Sequence, residues 1–343
     1  MDTLISQKHI DQFKQILSGS QNSVIVPHIN PDGDAIGSCI ALLHVLKNIG
    51  KRATVVVPND FPDFLQWIDG SHLVVDFEKR KEEAIAIFNE ADTMFVLDFN
   101  DFNRSEEMAS TLNSFEGKTV MIDHHPGPVA ACDLILSHPE VSSTCELIFR
   151  ILERSGLLDK LDKSGAEAIF TGMMTDTGNF SYNASAPETY RIIATLIEKG
   201  IDKDMINANV YHTFSESRWR LVGHSLKDKM VVLHEYKTAY ISLTKQELDH
   251  FKFQPGDTEG LVNLPLMVKG IVFCVFFMEK DEHVKLSLRS KGNFSVNTFS
   301  RSHFEGGGHD NAAGGRSSLS MNEAIAKFES LLPGYKDQLL NSI

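Results

Sequence analysis

Short β-branched runs that alternate with helical patterns through the first 180 residues predict an α/β fold. The expected architecture is a parallel, doubly wound sheet, followed by a smaller α/β domain with a mixed sheet, the two joined by a helical connector. Three observations predict it. Strand signals at residues 23–26, 53–57, 93–97 and 119–122 alternate with helical stretches at 35–49, 79–90, 106–115 and 143–157. From 186 to about 228 the pattern is helical throughout, with Pro187 near a helix start. Beyond that, β-rich runs at 230–234, 238–242, 270–278 and 284–289 precede helical stretches at 295–302 and 321–332. Residues 1–20 carry an amphipathic helical pattern interrupted by Asp2, Lys8, Asp11 and Lys14, unlike a signal peptide or a membrane span. The expected division is 1–190 for a catalytic domain, 191–229 for the connector and 230–343 for a substrate-binding domain.

The strand ends carry the chemistry. The run through residue 26 leads into His28, Asp32 and Asp34, with Gly33 between the acids and a helix beginning at 35. In an open α/β sheet such a turn lies at the carboxyl edge of the strands, where ligands bind. One acid suffices to cap a helix; two acids and an imidazole crowded together call for a cation. The strand at 93–97 runs into Asp98, the strand at 119–122 into Asp123, His124 and His125, and the helix at 166–174 into Asp176, beside Thr175, Thr177 and Gly178. Four such clusters in succession suit phosphoryl chemistry, in which two ions about 3.5–4 Å apart activate water and stabilise the leaving oxygen.

Composition narrows the reading. The chain has 343 residues, 42% of them apolar and 23% charged, as expected of a soluble globular protein of two domains. A net charge of −13 disfavours a processive nuclease on long duplex nucleic acid, which needs basic surface, and favours short oligonucleotides or nucleotide phosphates. Cys39, Cys132, Cys145 and Cys274 show no metal-ligand spacing and read as buried thiols of a reducing compartment. The expected location is the cytoplasm, with no membrane partner. In the second domain, Gly306, Gly307 and Gly308 are followed by His309, Asn311 and small residues that read as a helix start. Consecutive glycines can form an N–H nest for anions, and Arg289 can offer a bidentate fork to phosphate. Lys291, Arg301, His303 and Arg316 read singly as solvated charges.

His28-x-Asn30-Pro31-Asp32-x-Asp34, Asp98, Asp123-His124-His125 and Thr175-Asp176-Thr177-Gly178 resemble, in order and spacing, the four motifs of the DHH phosphoesterase superfamily. The segment Gly306-Gly307-Gly308-His309-x-Asn311-Ala312-Ala313-Gly314 resembles the signature of the DHH-associated domain. The two-domain length resembles the NrnA-like nanoRNase and pAp phosphatase branch. The resemblance implies His28 and Asp32 on a first ion, Asp34, His124 and Asp176 on a second, and Asp98 bridging them. It implies hydrolysis of short oligonucleotides to mononucleotides, and of 3′-phosphoadenosine 5′-phosphate, through two-metal activation of a bridging water. His125 would contact the scissile phosphate or the leaving oxygen, Asp123 would orient a neighbouring group, and Arg289, Gly307, Gly308 and His309 would bind substrate. Mixed carboxylate and imidazole donors favour manganese over magnesium or cobalt. A cyclic or linear dinucleotide phosphodiesterase is the alternative; a non-catalytic nucleotide-binding module and a family II pyrophosphatase rank lower. A homodimer is a further expectation.

Overall fold

The computed structural model describes residues 4–342. It divides between Thr213 and Phe214 into two units, each with its own hydrophobic core.

The first unit runs α1 (Gln7–Gly19), β1 (Asn22–Val26), α2 (Gly33–Asn48), β2 (Arg52–Val57), β3 (Val75–Asp76), α3 (Lys81–Glu90), β4 (Thr93–Leu97), α4 (Ala109–Asn113), β5 (Lys118–Asp123), β6 (Leu134–Ser137), α5 (Thr144–Ser155), α6 (Lys163–Asp176), α7 (Pro187–Glu198) and α8 (Lys203–Tyr211). Its six strands are parallel in the order β3-β2-β1-β4-β5-β6. Strands buried on both faces read as continuous apolar runs, and alternate residues serve opposite layers. Ile25, Phe95, Leu97, Val120 and Ile122 pack with α1, α2, α5 and α6, whereas Val24, Val26, Met94, Val96 and Met121 pack with Ala84 and Phe88 of α3. The chain leaves β1 toward β2 and β3 on one side and later fills β4, β5 and β6 on the other. The switch in winding direction therefore falls between β1 and β4, where such sheets open a crevice at their carboxyl ends.

Helices α2 and α6 cross at close range because glycines line their contact. A Cβ on Gly33 would meet Thr175 Oγ1 at 2.2 Å, one on Gly37 the Ala168 carbonyl oxygen at 2.5 Å, and one on Gly172 the Asp34 Oδ1 at 3.0 Å. That approach brings the first turn of α2 beside the last turn of α6.

The second unit contains α9 (Glu216–His224), β7 (Met230–Leu233), β8 (Thr238–Leu243), α10 (Lys245–His250), β9 (Phe273–Glu279), β10 (Val284–Ser290), α11 (Val296–His303), β11 (Gly307–His309), β12 (Ala312–Ser317) and α12 (Met321–Asn341). Its mixed sheet has the order β11-β12-β10-β9-β8-β7, with β8 and β9 parallel and the other pairs antiparallel. Val284, Leu286 and Leu288 face the core formed with Phe328 and Leu332 of α12.

Several local expectations change. The stretch 106–115 is not one helix: a 3₁₀ segment, Phe102–Met108, leads into α4, and Glu106 at φ 46° interrupts regular helix. The pairs that β3 and β6 make were too short to read from periodicity. Within 191–229, α7 and α8 belong to the first unit, where Ile192, Leu196, Ile206 and Val210 join the core, and α9 belongs to the second. Cys39, Cys145 and Cys274 are buried, but Cys132 is only partly so. Of the helical pattern at 1–20, residues 1–3 lie outside the described residues and α1 begins at Gln7. Helix α12 runs through Pro333 to Asn341, because Leu339 continues the buried stripe begun by Phe328 and Leu332. Residues 312–317 form a strand where a helix start was expected: Gly307 pairs with Gly314, Gly308 with Ala313 and His309 with Ala312. Among the described residues, no helix is long and apolar enough to cross a membrane.

Candidate metal centre

The ends of β1, β4 and β5 and the adjoining turns of α2 and α6 deliver eight titratable side chains to one place. His28 lies two residues past β1. Its Nδ1 stands 2.7 Å from the Ile29 carbonyl, which can only accept, so Nδ1 carries a proton, and Nε2 faces Asp98 Oδ2 at 3.4 Å. Asp32 caps α2: one oxygen accepts from the N–H groups of Asp34 and Ala35 at 3.0 and 3.1 Å. Capping and ligation are compatible, since a carboxylate offers about four lone pairs. His28, Asp32 and Asp98 each bring a ligand atom within 4.8 Å of the others.

Asp34, His124 and Asp176 form a second group on the same criterion. His124 Nε2 lies 3.6 Å from Asp98 Oδ1, 3.6 Å from Asp176 Oδ2 and 3.8 Å from Asp34 Oδ2. Such separations exceed a hydrogen bond and lie within the ~4.2 Å span of two donors, each about 2.1 Å from a shared ion. Asp98 belongs to the first group and lies 3.6 Å from His124 of the second. It holds φ 65°, a left-handed conformation that Asp tolerates better than most residues at a cost of about 1–3 kcal/mol, and such strain collects at functional sites.

Helix α5 supports the two central carboxylates. Ser143 caps it by accepting from Glu146 N–H, and the preceding free donors are spent on Asp34: Thr144 N–H at 2.6 Å and Cys145 N–H at 2.8 Å. The Thr144 hydroxyl donates to Asp98 Oδ1 at 2.9 Å. Asp34, Asp98, His124 and Thr144 are 1%, 2%, 4% and 0% exposed, so each contact acts away from solvent.

The crowding is visible in the protonation behaviour. Burial, then the charges of Asp98 and Asp176, push the Asp34 carboxyl well above its usual range. Burial opposes a charge on His124, but Asp176, Asp98 and Asp34 together carry its pKa up to about 9. Asp176 is pushed up to about 6, chiefly by burial. Burial also works against the Asp98 charge, but the His28 hydrogen bond and the neighbouring imidazoles hold its carboxyl well below the usual carboxylate range. Protons thus share a cluster whose oxygen and imidazole donors suit divalent cations. His28, Asp32 and Asp98 could hold a divalent ion, as could Asp34, His124 and Asp176. Buried Asp123 adds an Oδ2 atom with no hydrogen-bond partner, beside the same cluster.

His125 forms a further group with Asp98 and Asp123, its Nδ1 lying 3.8 Å from Asp98 Oδ1. Its Nδ1–H donates to Asp123 Oδ1 at 2.7 Å, which fixes the ring. The Asn100 side-chain amide donates to the carbonyls of His125 and Pro126, each at 3.2 Å, steadying the loop.

In the second unit, register places Arg289 opposite Ala312, and Ala312 opposite His309. The three share one sheet face, so Arg289 and His309 flank a small residue at a backbone spacing of about 10 Å. The expected nest of glycine N–H groups is otherwise employed: Gly307 and Gly308 belong to the β11–β12 ladder, and Gly308 N–H donates to Asn297 Oδ1 at 3.1 Å. Arg316 pairs with Glu305 and His303 with the Tyr335 hydroxyl; Arg301 Nε donates to Asn297 and Lys291 to the Leu266 carbonyl. Thr144 and Asn100 were missed in the sequence. The Ser142-Ser143-Thr144 run signals a helix start, but nothing local says which carboxylates that start meets.

Comparison with known proteins agrees with this organisation. The model of the DHH family N-terminal domain matches residues 22–173, and that of the DHHA1 domain matches residues 235–333. A crystal structure of an exopolyphosphatase-related protein from Bacteroides fragilis is 46% identical, covers 99% of each chain and has a TM-score of 0.95. The bifunctional oligoribonuclease and PAP phosphatase NrnA of Thermus thermophilus is 28% identical over 92% of this chain and 89% of its own length. The cyclic-di-AMP phosphodiesterase GdpP of Bacillus subtilis is also 28% identical, over 94% of this chain but 49% of its own length. The chain belongs to the DHH family, with a DHH N-terminal domain followed by a DHHA1 domain.

Proposed function

We propose that this protein is a metal-dependent phosphoesterase that hydrolyses short oligonucleotides to mononucleotides and dephosphorylates 3′-phosphoadenosine 5′-phosphate in the cytoplasm. The observation that carries the reading is the convergence of Asp32, Asp34, Asp98 and Asp176 with His28 and His124 at the carboxyl ends of the strands. Two divalent ions, manganese by preference, would supply Lewis-acid activation of water and screening of phosphate charge. The chain's own residues set the conditions for that chemistry. Asp98 ties the two ligand groups together, and Thr144 fixes its orientation. Asp34 is locked by two N–H groups, so little reorganisation accompanies loading. His125, its ring oriented by Asp123, would contact the scissile phosphate or the oxygen that leaves. On the second unit, Arg289 and His309 are the groups that would take up phosphate. Similarity to the NrnA relative supports the substrate class, and the equal identity to the GdpP relative supports a second reading, hydrolysis of a cyclic or linear dinucleotide.

The test is turnover by the manganese-loaded protein of a dinucleotide, a five-mer, a long single strand, 3′-phosphoadenosine 5′-phosphate, cyclic di-AMP and inorganic pyrophosphate. Preference for the dinucleotide, five-mer and bisphosphate is the expected result. Preference for cyclic di-AMP moves the protein to the second reading, and metal binding without turnover of any substrate refutes both.

A further inference from the structure

Arg104 lies in the 3₁₀ segment Phe102–Met108, six residues past Asp98. Its carbonyl accepts the Ile29 N–H at 3.0 Å, which stitches this segment to the loop between His28 and Asp32. The side chain is half-buried, and its charge reaches the His28 ring, where it opposes protonation. Among the described residues, however, the Arg104 guanidinium has no hydrogen-bond or ion-pair partner.

That combination is unusual in this chain. Arg80, Arg150, Arg191, Arg220 and Arg316 each pair with a carboxylate. Arg104 stands in the field of the most acidic cluster in the first unit and pairs with none of its members. Removing five N–H donors partly from water without a partner is unfavourable. A structural counter-charge would have closed on Asp32 or Asp98; a guanidinium held off them remains available to an anion from outside the chain. The loop itself is secured by the Arg104 backbone, so the side chain is not needed for that contact.

We propose that Arg104 is a phosphate-binding residue of the first unit, whose guanidinium takes a non-bridging oxygen of a phosphate drawn to the metal centre. The proposal rests on the phosphoesterase reading and extends it to a residue outside the ligand set. The fork geometry of arginine suits a phosphate better than a lysine ammonium would. In a chain of net charge −13, a local cation whose charge is felt at His28 also offsets the repulsion an anionic substrate meets.

The experiment compares the manganese-loaded full chain with Arg104→Gln and Arg104→Lys, using calorimetric binding of inorganic phosphate at micromolar protein. Arg104→Gln is expected to weaken phosphate binding about 10–100-fold, the range for loss of charge-assisted hydrogen bonds. Arg104→Lys should fall between the two, because it keeps the charge and loses the fork. Manganese affinity should be unchanged or slightly higher in Arg104→Gln, since a positive charge near His28 is gone, and the melting temperature should be unchanged. Phosphate binding within twofold of wild type in both variants overturns the proposal, as does a wild-type protein that binds no phosphate. A loss of manganese affinity or melting temperature in both variants also overturns it and makes the side chain structural. Phosphate binding is read without turnover, so absence of phosphoester hydrolysis would refute the functional reading and leave the Arg104 comparison decisive on its own.

Discussion

Replacing Thr144 with Val tests whether the metal centre is organised by helix α5 as well as by its ligands. Valine has nearly the shape of threonine, so the substitution opens no cavity at this fully buried position; it removes the hydroxyl that donates to Asp98 Oδ1 at 2.9 Å. A hydrogen bond to a charged acceptor is worth about 1.5–3 kcal/mol, which corresponds to roughly 10–100-fold in an equilibrium constant, and loss of groups that orient metal ligands costs a similar factor. The backbone N–H groups of Thr144 and Cys145 still hold Asp34 in the variant, so the loss should be confined to Asp98. Manganese titration of chelator-stripped protein should show roughly 10–100-fold weaker binding, with wild-type affinity recovered in Thr144→Ser. A Val variant that binds manganese within twofold of wild type refutes the reasoning.

Three further outcomes follow from the same geometry. Asp98→Asn keeps a side chain that tolerates φ 65° while removing the shared charge; it should bind fewer manganese ions per chain and lose turnover, and a full complement of bound metal would show that Asp98 does not link the two groups. Gly37→Ala forces a Cβ to 2.5 Å from the Ala168 carbonyl oxygen, an overpacking cost of about 1–3 kcal/mol. Its melting temperature should fall by roughly 2–12 °C, while Gly19→Ala, with nothing within 4 Å of the added atom, should not lower it. Manganese binding should also tighten with pH, because His124, whose pKa is raised to about 9 without metal, must give up a proton to become a ligand. Affinity should rise with pH up to about 9, by about tenfold or more per pH unit while His124 is the protonated ligand, and level off above that; a flat profile in pH-dependent titrations would contradict the assignment of His124.

The sequence by itself determined the alternating α/β plan and the positions of the acidic and histidine clusters, because both are local. A buried parallel strand is an apolar run wherever it sits, and the residues just beyond it must be polar where the chain leaves the sheet. The order of His28, Asp32, Asp34, Asp98, His124 and Asp176 along the chain was therefore legible without coordinates. What those clusters meet was decided by tertiary structure. Thr144 reaches Asp98 across 46 residues and its N–H reaches Asp34 across 110; no periodicity encodes such a pairing. The glycine segment after α11 shows the same limit from the opposite side: its composition suits a free anion nest, but strand pairing with residues 312–314 and the Asn297 side chain claim its backbone. Arg104 was indistinguishable from a solvated surface charge until packing against Ile29 placed it by His28. Local polarity and periodicity specify elements and their ends, whereas the partners of a buried donor or a charged side chain depend on which distant segments the core brings together.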